Sequence, residues 1–509
     1  MTKAVVIGSG MSGLTAAAYL ARDGCEVEVF EQAANIGGVT ATLHREGFAW
    51  DLGPLMIEGF GPGEPAGNVL AELGCADRVG LVRADRGIVF PDYRVVRPAQ
   101  YLGPYWRREK LKEIFPKEAD GLDRYYRFYD TILDLMTLAR RAEDAGVLRA
   151  LPLKLRMALM FRGVKQFQDW DAQRMMDHFF EDARLKALFH GILADMVVCP
   201  SEFMGLGIPA VNQETAFDDR LPAEVSSAGP RTTFQFVSGC CGNLVDGVAS
   251  VIRENGGRLH TSRAVRRILI EGGRARGVEL ADGQRVDADI VVVSGGAREC
   301  FFKLIGKEAL PDEFVAKVDD IPLMESVFMV HLGVDMDLTP YQDVALNYYY
   351  GTYDIEAGVA RTRNQDYHEG KDGFLIYIPS LHSPDMAPPG QHAVTVYTIA
   401  PNALEGGWEA RRQEMTDKLL HEAEQVIPGL REHARVIVSM TPRDFSERTH
   451  LLDHHSFGGV CPIMGKSGSP HQTPFAGLWF IGSQSETAGG VANVVLGGRK
   501  AFVKIKATA

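Results

Sequence analysis

An α/β fold is what this sequence predicts, and three features predict it. Residues 4–31 read as strand, glycine turn, helix, strand and acid in that order. Residues from about 100 to 230 are rich in helical pattern, as in "LDRYYRFYDTILDLMTLARRAED". Residues 301–475 hold the strand-like runs "MESVFMVHLGVDM", "GFLIYIPSL" and "HAVTVYTIA". At 509 residues the chain is long for one core, so two intimately connected domains are expected.

The N-terminal unit comes first. Residues 4–7 (Ala, Val, Val, Ile) have the composition of a buried parallel strand, and from Gly13 the apolar positions Leu14, Ala17, Leu20 and Ala21 recur at helical period. Gly8 suits a tight turn, Gly10 leaves room for a pyrophosphate against the backbone, and Gly13 lets helix and strand pack closely. The helix N-terminus then faces the phosphates. Val27, Val29 and Phe30 form a second strand ending at Glu31, where a carboxylate accepts hydrogen bonds from ribose hydroxyls. Such a site favours an unphosphorylated ribose and leaves NAD and FAD both open. The next stretch, "NIGGVTATLHREGFAWDLGP", adds Gly37 and Gly38 and then the turn Asp51-Leu52-Gly53-Pro54, a second place where backbone can approach a long dinucleotide.

From its GxGxxG turn through Glu31 and Gly37-Gly38 to "DLGP", the sequence resembles the flavin-dependent desaturases and amine oxidases, and most closely the phytoene desaturase family. Residues 238–297 resemble that family's middle segment, and "GLWFIGSQSETAGGVANVVLGGRKAF" (477–502) its closing flavin motif, so the resemblance spans the chain. It implies noncovalent FAD, a Rossmann-type FAD-binding domain of glutathione-reductase-like fold, and a sheet-plus-helices substrate domain that receives a hydrophobic polyene. Val265 matches the position whose backbone contacts the adenine end of FAD. The implied cofactor set is Gly8, Ser9, Gly10, Met11, Ser12, Gly13, Glu31, Gln32, Gly38, Thr40, Val265, Gly482, Gly490 and Val491. The domains are expected at 1–95, 231–300 and 471–509 for the discontinuous FAD-binding part, 96–230 for a helical lid, and 301–470 for the substrate-domain sheet and helices. The closing motif also has physical logic: a helix starting near Gly490 points its free N–H groups at the flavin ring, where negative charge collects on reduction.

Composition bounds the remaining choices. With 46% hydrophobic and 24% charged residues the chain is ordinary for a globular protein, and its net charge of -12 argues against nucleic-acid binding. Seven cysteines without a CxxC pattern, and no apparent signal peptide, suggest a reducing, cytoplasmic compartment; the Cys240-Cys241 pair reads as buried thiols, and no metal site is evident. No apolar run approaches membrane-spanning length. One segment, "LRALPLKLRMALMFRGVKQFQDW" (148–170), sets Arg149, Lys154, Arg156, Arg162 and Lys165 among Leu, Met and Phe, against a single Asp169. It reads either as a lid helix with a solvated basic face or as a peripheral contact with a membrane surface.

Catalytic residues are less legible, because hydride transfer to flavin N5 needs mainly a positioned carbon. Where carotenoid desaturases typically carry a Thr-His-Pro run, this chain reads Ser483-Gln484-Ser485-Glu486-Thr487. Glu486 is therefore a candidate acid or base, with a pKa expected to be raised in a pocket. His454 and His455, in "LLDHHSFGGV", are the other candidates; adjacent strand residues face opposite sides, so at most one faces the pocket. The expected activity is FAD-dependent oxidation or desaturation of a hydrophobic, isoprenoid or carotenoid-like substrate. No second GxGxxG supplies an NAD(P) site, so dioxygen or a quinone is the expected acceptor. Two other enzyme readings are a saturase, isomerase or hydratase using reduced FAD, and a flavin amine oxidase.

Overall fold

The computed structural model describes residues 1–214, 228–229, 231–451 and 459–508. Its nucleotide-side sheet is parallel and five-stranded, in the order Arg258–His260, Glu26–Phe30, Lys3–Ile7, Ile290–Ser294, Leu478–Ile481. Strands from four distant parts of the chain thus meet side by side. They are short and rich in Val and Ile because both faces are covered, which favours continuous apolar runs over alternation. One face packs on the helices Met11–Arg22, Cys241–Glu254 and Val491–Thr508. The other carries the antiparallel strands Val265–Glu271, Arg274–Leu280 and Arg285–Asp287.

The last helix lies unusually close to the first. A Cβ at Gly498 would stand 2.7 Å from the Ser12 carbonyl oxygen and 2.9 Å from Thr15 Cβ, so only glycine permits this crossing. The run Ala16-Ala17-Ala18 keeps the first helix equally slim.

A second sheet of seven strands runs in the order Ala434–Met440, Ser326–Val334, His392–Ala400, Gly373–Tyr377, Leu346–Tyr350, Arg86–Val89, Arg94–Val95. The three strand-like runs of the sequence supply three of these strands. Arg86–Val89 and Arg94–Val95 also join this sheet, although the sequence groups them with the first segment; Arg86–Val89 pairs in parallel with Leu346–Tyr350. Strand Ser326–Val334 is buried at every position, and its side chains alternate between two cores. Phe328 and Val330 pack with helix Trp408–Glu424, while Val327 and Met329 face the helical layer. In that layer helix Ala119–Asp144 presents Tyr125, Tyr126, Phe128 and Tyr129 to Phe179, Phe180 and Phe189, and Tyr377 and Tyr397 of the sheet belong to the same cluster.

Among the described residues no helix is long and apolar enough to cross a membrane, and no group of three or more His, Cys, Asp or Glu side chains is placed to hold a metal ion. All seven cysteines are free; Cys240 and Cys241 are buried, as expected.

Candidate functional site

A cavity of about 410 Å³ opens at the carboxyl ends of the parallel strands. Such sheets bind ligands at this position, because the strands' order reverses there and leaves a crevice. The turn after strand Lys3–Ile7 forms one wall. Gly8 has φ +88°, and a Cβ on it would stand 2.4 Å from the Ser294 carbonyl oxygen. A Cβ on Gly13 would stand 2.2 Å from the Gly8 carbonyl oxygen, so this glycine sets the distance between strand and helix. Gly10 differs from both: its φ is -62°, and a Cβ would meet only Ser294 Oγ, at 3.5 Å. Here the missing side chain leaves open cavity.

Glu31 closes the second strand and shapes the turn. Its Oε2 accepts from the Ser9 backbone N–H at 2.8 Å and from Ser9 Oγ at 2.6 Å, and its Oε1 accepts from the Ala33 N–H at 2.9 Å. The Gly37 N–H donates to the Ser9 carbonyl, which brings Gly37 and Gly38 beside the first turn. A Cβ on Gly53 would lie 2.4 Å from the Val39 carbonyl oxygen, so the Asp51-Pro54 turn supports the segment from beneath. Asp51 in turn holds the helix Cys241–Glu254: its Oδ1 accepts from the Cys241 N–H at 2.7 Å. Burial raises the Asp51 pKa to about 7, against the lowering effect of that hydrogen bond and of Thr42.

Of the residues expected from the sequence, Gly8, Gly10, Met11, Ser12, Glu31, Gln32, Gly38, Thr40, Val265 and Gly482 line the cavity. Ser9 and Gly13 stand behind the wall and fix its shape. Gly490 and Val491 begin the last helix outside the lining, and Val494 reaches the cavity from its first turn. The closing segment is anchored by Gln484, whose Oε1 accepts from the Ala297 N–H at 2.8 Å, beside the cavity-lining Gly295 and Gly296.

Glu486 is a correction to the sequence reading. Ser485 is fully buried, and the following carboxylate turns to the last helix, where Lys504 Nζ donates to its Oε1 at 2.5 Å. The buried ring of His471 stands 3.8 Å away on the other side. Partial burial would raise the Glu486 pKa, but Lys504 and His471 together bring it below the usual carboxylate value, opposite to the expected direction. Glu486 is not among the cavity-lining residues. His454 and His455 lie outside the described residues.

The sequence reading missed Arg448, from helix Pro442–Thr449. Its Nε donates to the Gly38 carbonyl at 2.6 Å and its Nη1 to Asn35 Oδ1 at 3.1 Å. Nη2 is buried with no hydrogen-bond partner among the described residues. Burial lowers this guanidinium's pKa while the Glu31 charge opposes the shift, yet arginine remains cationic under these conditions. No motif surrounds Arg448, and only the fold brings it to the cavity.

An anionic dinucleotide fits these residues. Gly10 leaves a cradle that a side chain would fill, the helix Met11–Arg22 begins there, and Arg448 carries a spare buried donor. Beyond the cavity, Val39 lines it and also packs on the aromatic cluster between sheet and helical layer. A second, smaller cavity of about 50 Å³ lies in that region, lined by Asp195, Tyr348, Tyr350, Tyr397 and neighbours. Burial raises Asp195 to about 6, opposed by Tyr348 and Arg86.

Comparison with known proteins agrees with this geometry. The family described as flavin containing amine oxidoreductase matches residues 11–504. The zeta-carotene-forming phytoene desaturase of Myxococcus xanthus is 26% identical, over 97% of this chain and 92% of that protein. The pyridine nucleotide-disulfide oxidoreductase domain-containing protein 2 of Mus musculus is 24% identical, over 96% of this chain and 90% of that protein. Among solved structures, an oxidoreductase from Methanosarcina mazei superposes with a TM-score of 0.63 at 20% identity, covering 98% of this chain and all of that one. A match over nearly the whole length, on a fold with this nucleotide cavity, makes the chain a member of the flavin-containing amine oxidoreductase family, an enzyme that uses FAD.

Proposed function

We propose that this enzyme holds FAD in the glycine-lined cavity and oxidises a carbon–carbon bond of a hydrophobic, isoprenoid or carotenoid-like substrate. The observation that carries the reading is Val39, which faces the cofactor cavity and packs on the aromatic cluster. Val39 thus joins the wall of the cofactor cavity to the apolar core between sheet and helical layer. The likeness to a phytoene desaturase along nearly the full length of both chains supports the substrate class. Dioxygen or a quinone takes the electrons, in a cytoplasmic protein that meets its substrate at a membrane surface.

Bound FAD supplies an electron-poor ring able to take a hydride from substrate carbon at N5. The chain's own part is to bind and to orient. Glu31 would accept from ribose hydroxyls beside its bonds to Ser9 and Ala33. The turn at Gly10 would receive the pyrophosphate, and Arg448 would neutralise part of its charge. The apolar side chains around Val39 exclude water from the substrate side.

Replacing Arg448 with Met keeps the stem's packing and removes the charged donors. Retention of FAD should fall about 10- to 100-fold, the loss expected for one hydrogen bond to a charged group. Flavin absorbance after exhaustive dialysis measures it; full occupancy would leave Arg448 as a tie between loops.

Anaerobic mixing with a panel of hydrophobic polyenes tests the reaction. At least one should bleach the flavin absorbance, and bleaching by small amines alone would overturn the substrate reading. In the same assay Glu486→Gln should change the rate by less than about twofold, because the carboxylate is bound to Lys504 away from the cavity. A positioned acid contributes about 10²–10⁴-fold. A loss of that size would make this a proton-transfer enzyme.

A further inference from the structure

Helix Val147–Val164 is apolar on two opposite faces. It packs on helix Ala119–Asp144. Ala150 and Val164 are buried there, and Leu153 and Met157 are half-buried on the same side. The outward side is leucine again: Leu148 is 88% exposed, Leu151 68%, Leu155 63% and Leu159 55%. At the helical repeat these four fall within a sector of roughly 80°, directly opposite the packed face. Four exposed leucines in one stripe are not explained by packing among the described residues. Solvent exposure of that much contiguous apolar surface marks a contact site.

Charge selects the partner. The helix contains no acidic residue; the exposed Lys154 and the following Lys165 flank one side of the leucine stripe, the exposed Arg162 stands at its C-terminal end, and the exposed Arg149 lies on the other side. The chain as a whole carries -12, so this is a local reversal of sign. A second copy of the chain, apposed through the same face, would bring cation against cation. An anionic bilayer instead offers phosphate to the basic rim and hydrocarbon to the leucines. A helix of this pattern lies in the interface plane with its apolar face at the acyl boundary.

We propose that helix Val147–Val164 is an in-plane anchor that seats the helical layer on an anionic membrane, inserting the stripe Leu148, Leu151, Leu155 and Leu159. This deepens the proposed function and rests on a lipid-soluble substrate. The anchor lies on the outer side of helix Ala119–Asp144, whose Tyr125 and Tyr129 belong to the aromatic cluster that reaches Val39. A substrate dissolved in the bilayer would meet the layer whose apolar cluster reaches Val39.

The test uses full-length, FAD-loaded protein sedimented with vesicles of phosphatidylcholine containing phosphatidylglycerol, and with vesicles of phosphatidylcholine alone. Wild type should bind the anionic vesicles strongly and the neutral ones weakly. Neutralising Lys154, Arg162 and Lys165 to Gln should lower partitioning about a hundredfold, the product of three surface cations. The combination Leu151→Ser, Leu155→Ser and Leu159→Ser should abolish binding to both vesicle types with flavin spectrum and melting unchanged. Absence of wild-type binding, or equal binding by the variants, overturns the anchor. So does a wild-type dimer, without vesicles, that the serine variant converts to monomer. Flavin bleaching by a detergent-dispersed polyene should survive in the serine variant. Vesicle binding without any such bleaching in wild type would instead sink the substrate reading and leave the anchor standing.

Discussion

Gly10→Val should give a folded, colourless protein. The backbone at Gly10 has φ -62° and ψ 164°, a conformation open to any residue, so valine adds no local strain there. Its Cβ meets only Ser294 Oγ, at ordinary contact distance, and its methyl groups extend into the cavity. The volume they take is the volume a pyrophosphate needs. Overlap with a packed neighbour costs about 1–3 kcal/mol even where the surroundings yield. This rigid turn, held by Glu31 and Gly37, yields little. FAD affinity should fall by roughly a hundredfold or more, read as flavin per chain after purification. Gly13→Ala is the contrasting case: its Cβ would collide with the Gly8 carbonyl, so fold and flavin should be lost together. Full flavin occupancy in Gly10→Val would remove this turn from the cofactor site.

Asp51→Asn should stabilise the protein above neutral pH. The buried carboxyl has its pKa raised from 3.8 to about 7. A raised folded-state pKa gives stability that is complete below the unfolded value and is lost as pH rises through the folded one. The window therefore runs from about pH 4 to about pH 7, and the loss amounts to on the order of 4 kcal/mol. Asparagine keeps the acceptor for the Cys241 N–H and has no charge to bury. Melting curves of variant and wild type should nearly coincide at about pH 4 and separate progressively toward pH 8, with the variant higher. Burial also raises Asp195 to about 6 and Glu214 to about 7, so wild type and variant alike should show a further decline of the same sign, and the Asp51 effect is read from the difference between their curves. A variant less stable than wild type at high pH would mean that the carboxylate is charged and held by the helix terminus.

The part of the site that was legible in the sequence is the part made by local sterics. Gly8, Gly10 and Gly13 act on one another and on the next strand, so their spacing alone carries the geometry. Ser294, Gly295 and Gly296 form the opposite wall, and Arg448 comes from a helix late in the chain. Nothing near Arg448 in sequence announces a nucleotide, and the wall at Ser294 was marked only through the resemblance of its whole segment, since tertiary packing brings both there. Glu486 shows the converse limit. Its position beside the closing motif was readable, but the direction in which its side chain leaves the loop depends on Lys504, eighteen residues later. The same holds for strand Arg86–Val89, whose place in the second sheet is set by pairing with Leu346–Tyr350, far along the chain. Asp51 belongs to a legible turn, yet its grip on the Cys241 N–H spans 190 residues.

The order of strands in the parallel sheet bears on how the chain is made. The edge of Ile290–Ser294 is covered only when Leu478–Ile481 arrives, and the first helix, which also packs on Cys241–Glu254, gains its closest neighbour only with the last helix. During synthesis, the glycine turn therefore emerges long before the partners that complete it, and the half-built sheet displays an open strand edge. Pairings of such sequence separation carry a large loop-closure cost and fold slowly. An exposed edge of Val and Ile is also a template for wrong association. The nascent chain thus carries an open apolar strand edge until Leu478–Ile481 has been translated.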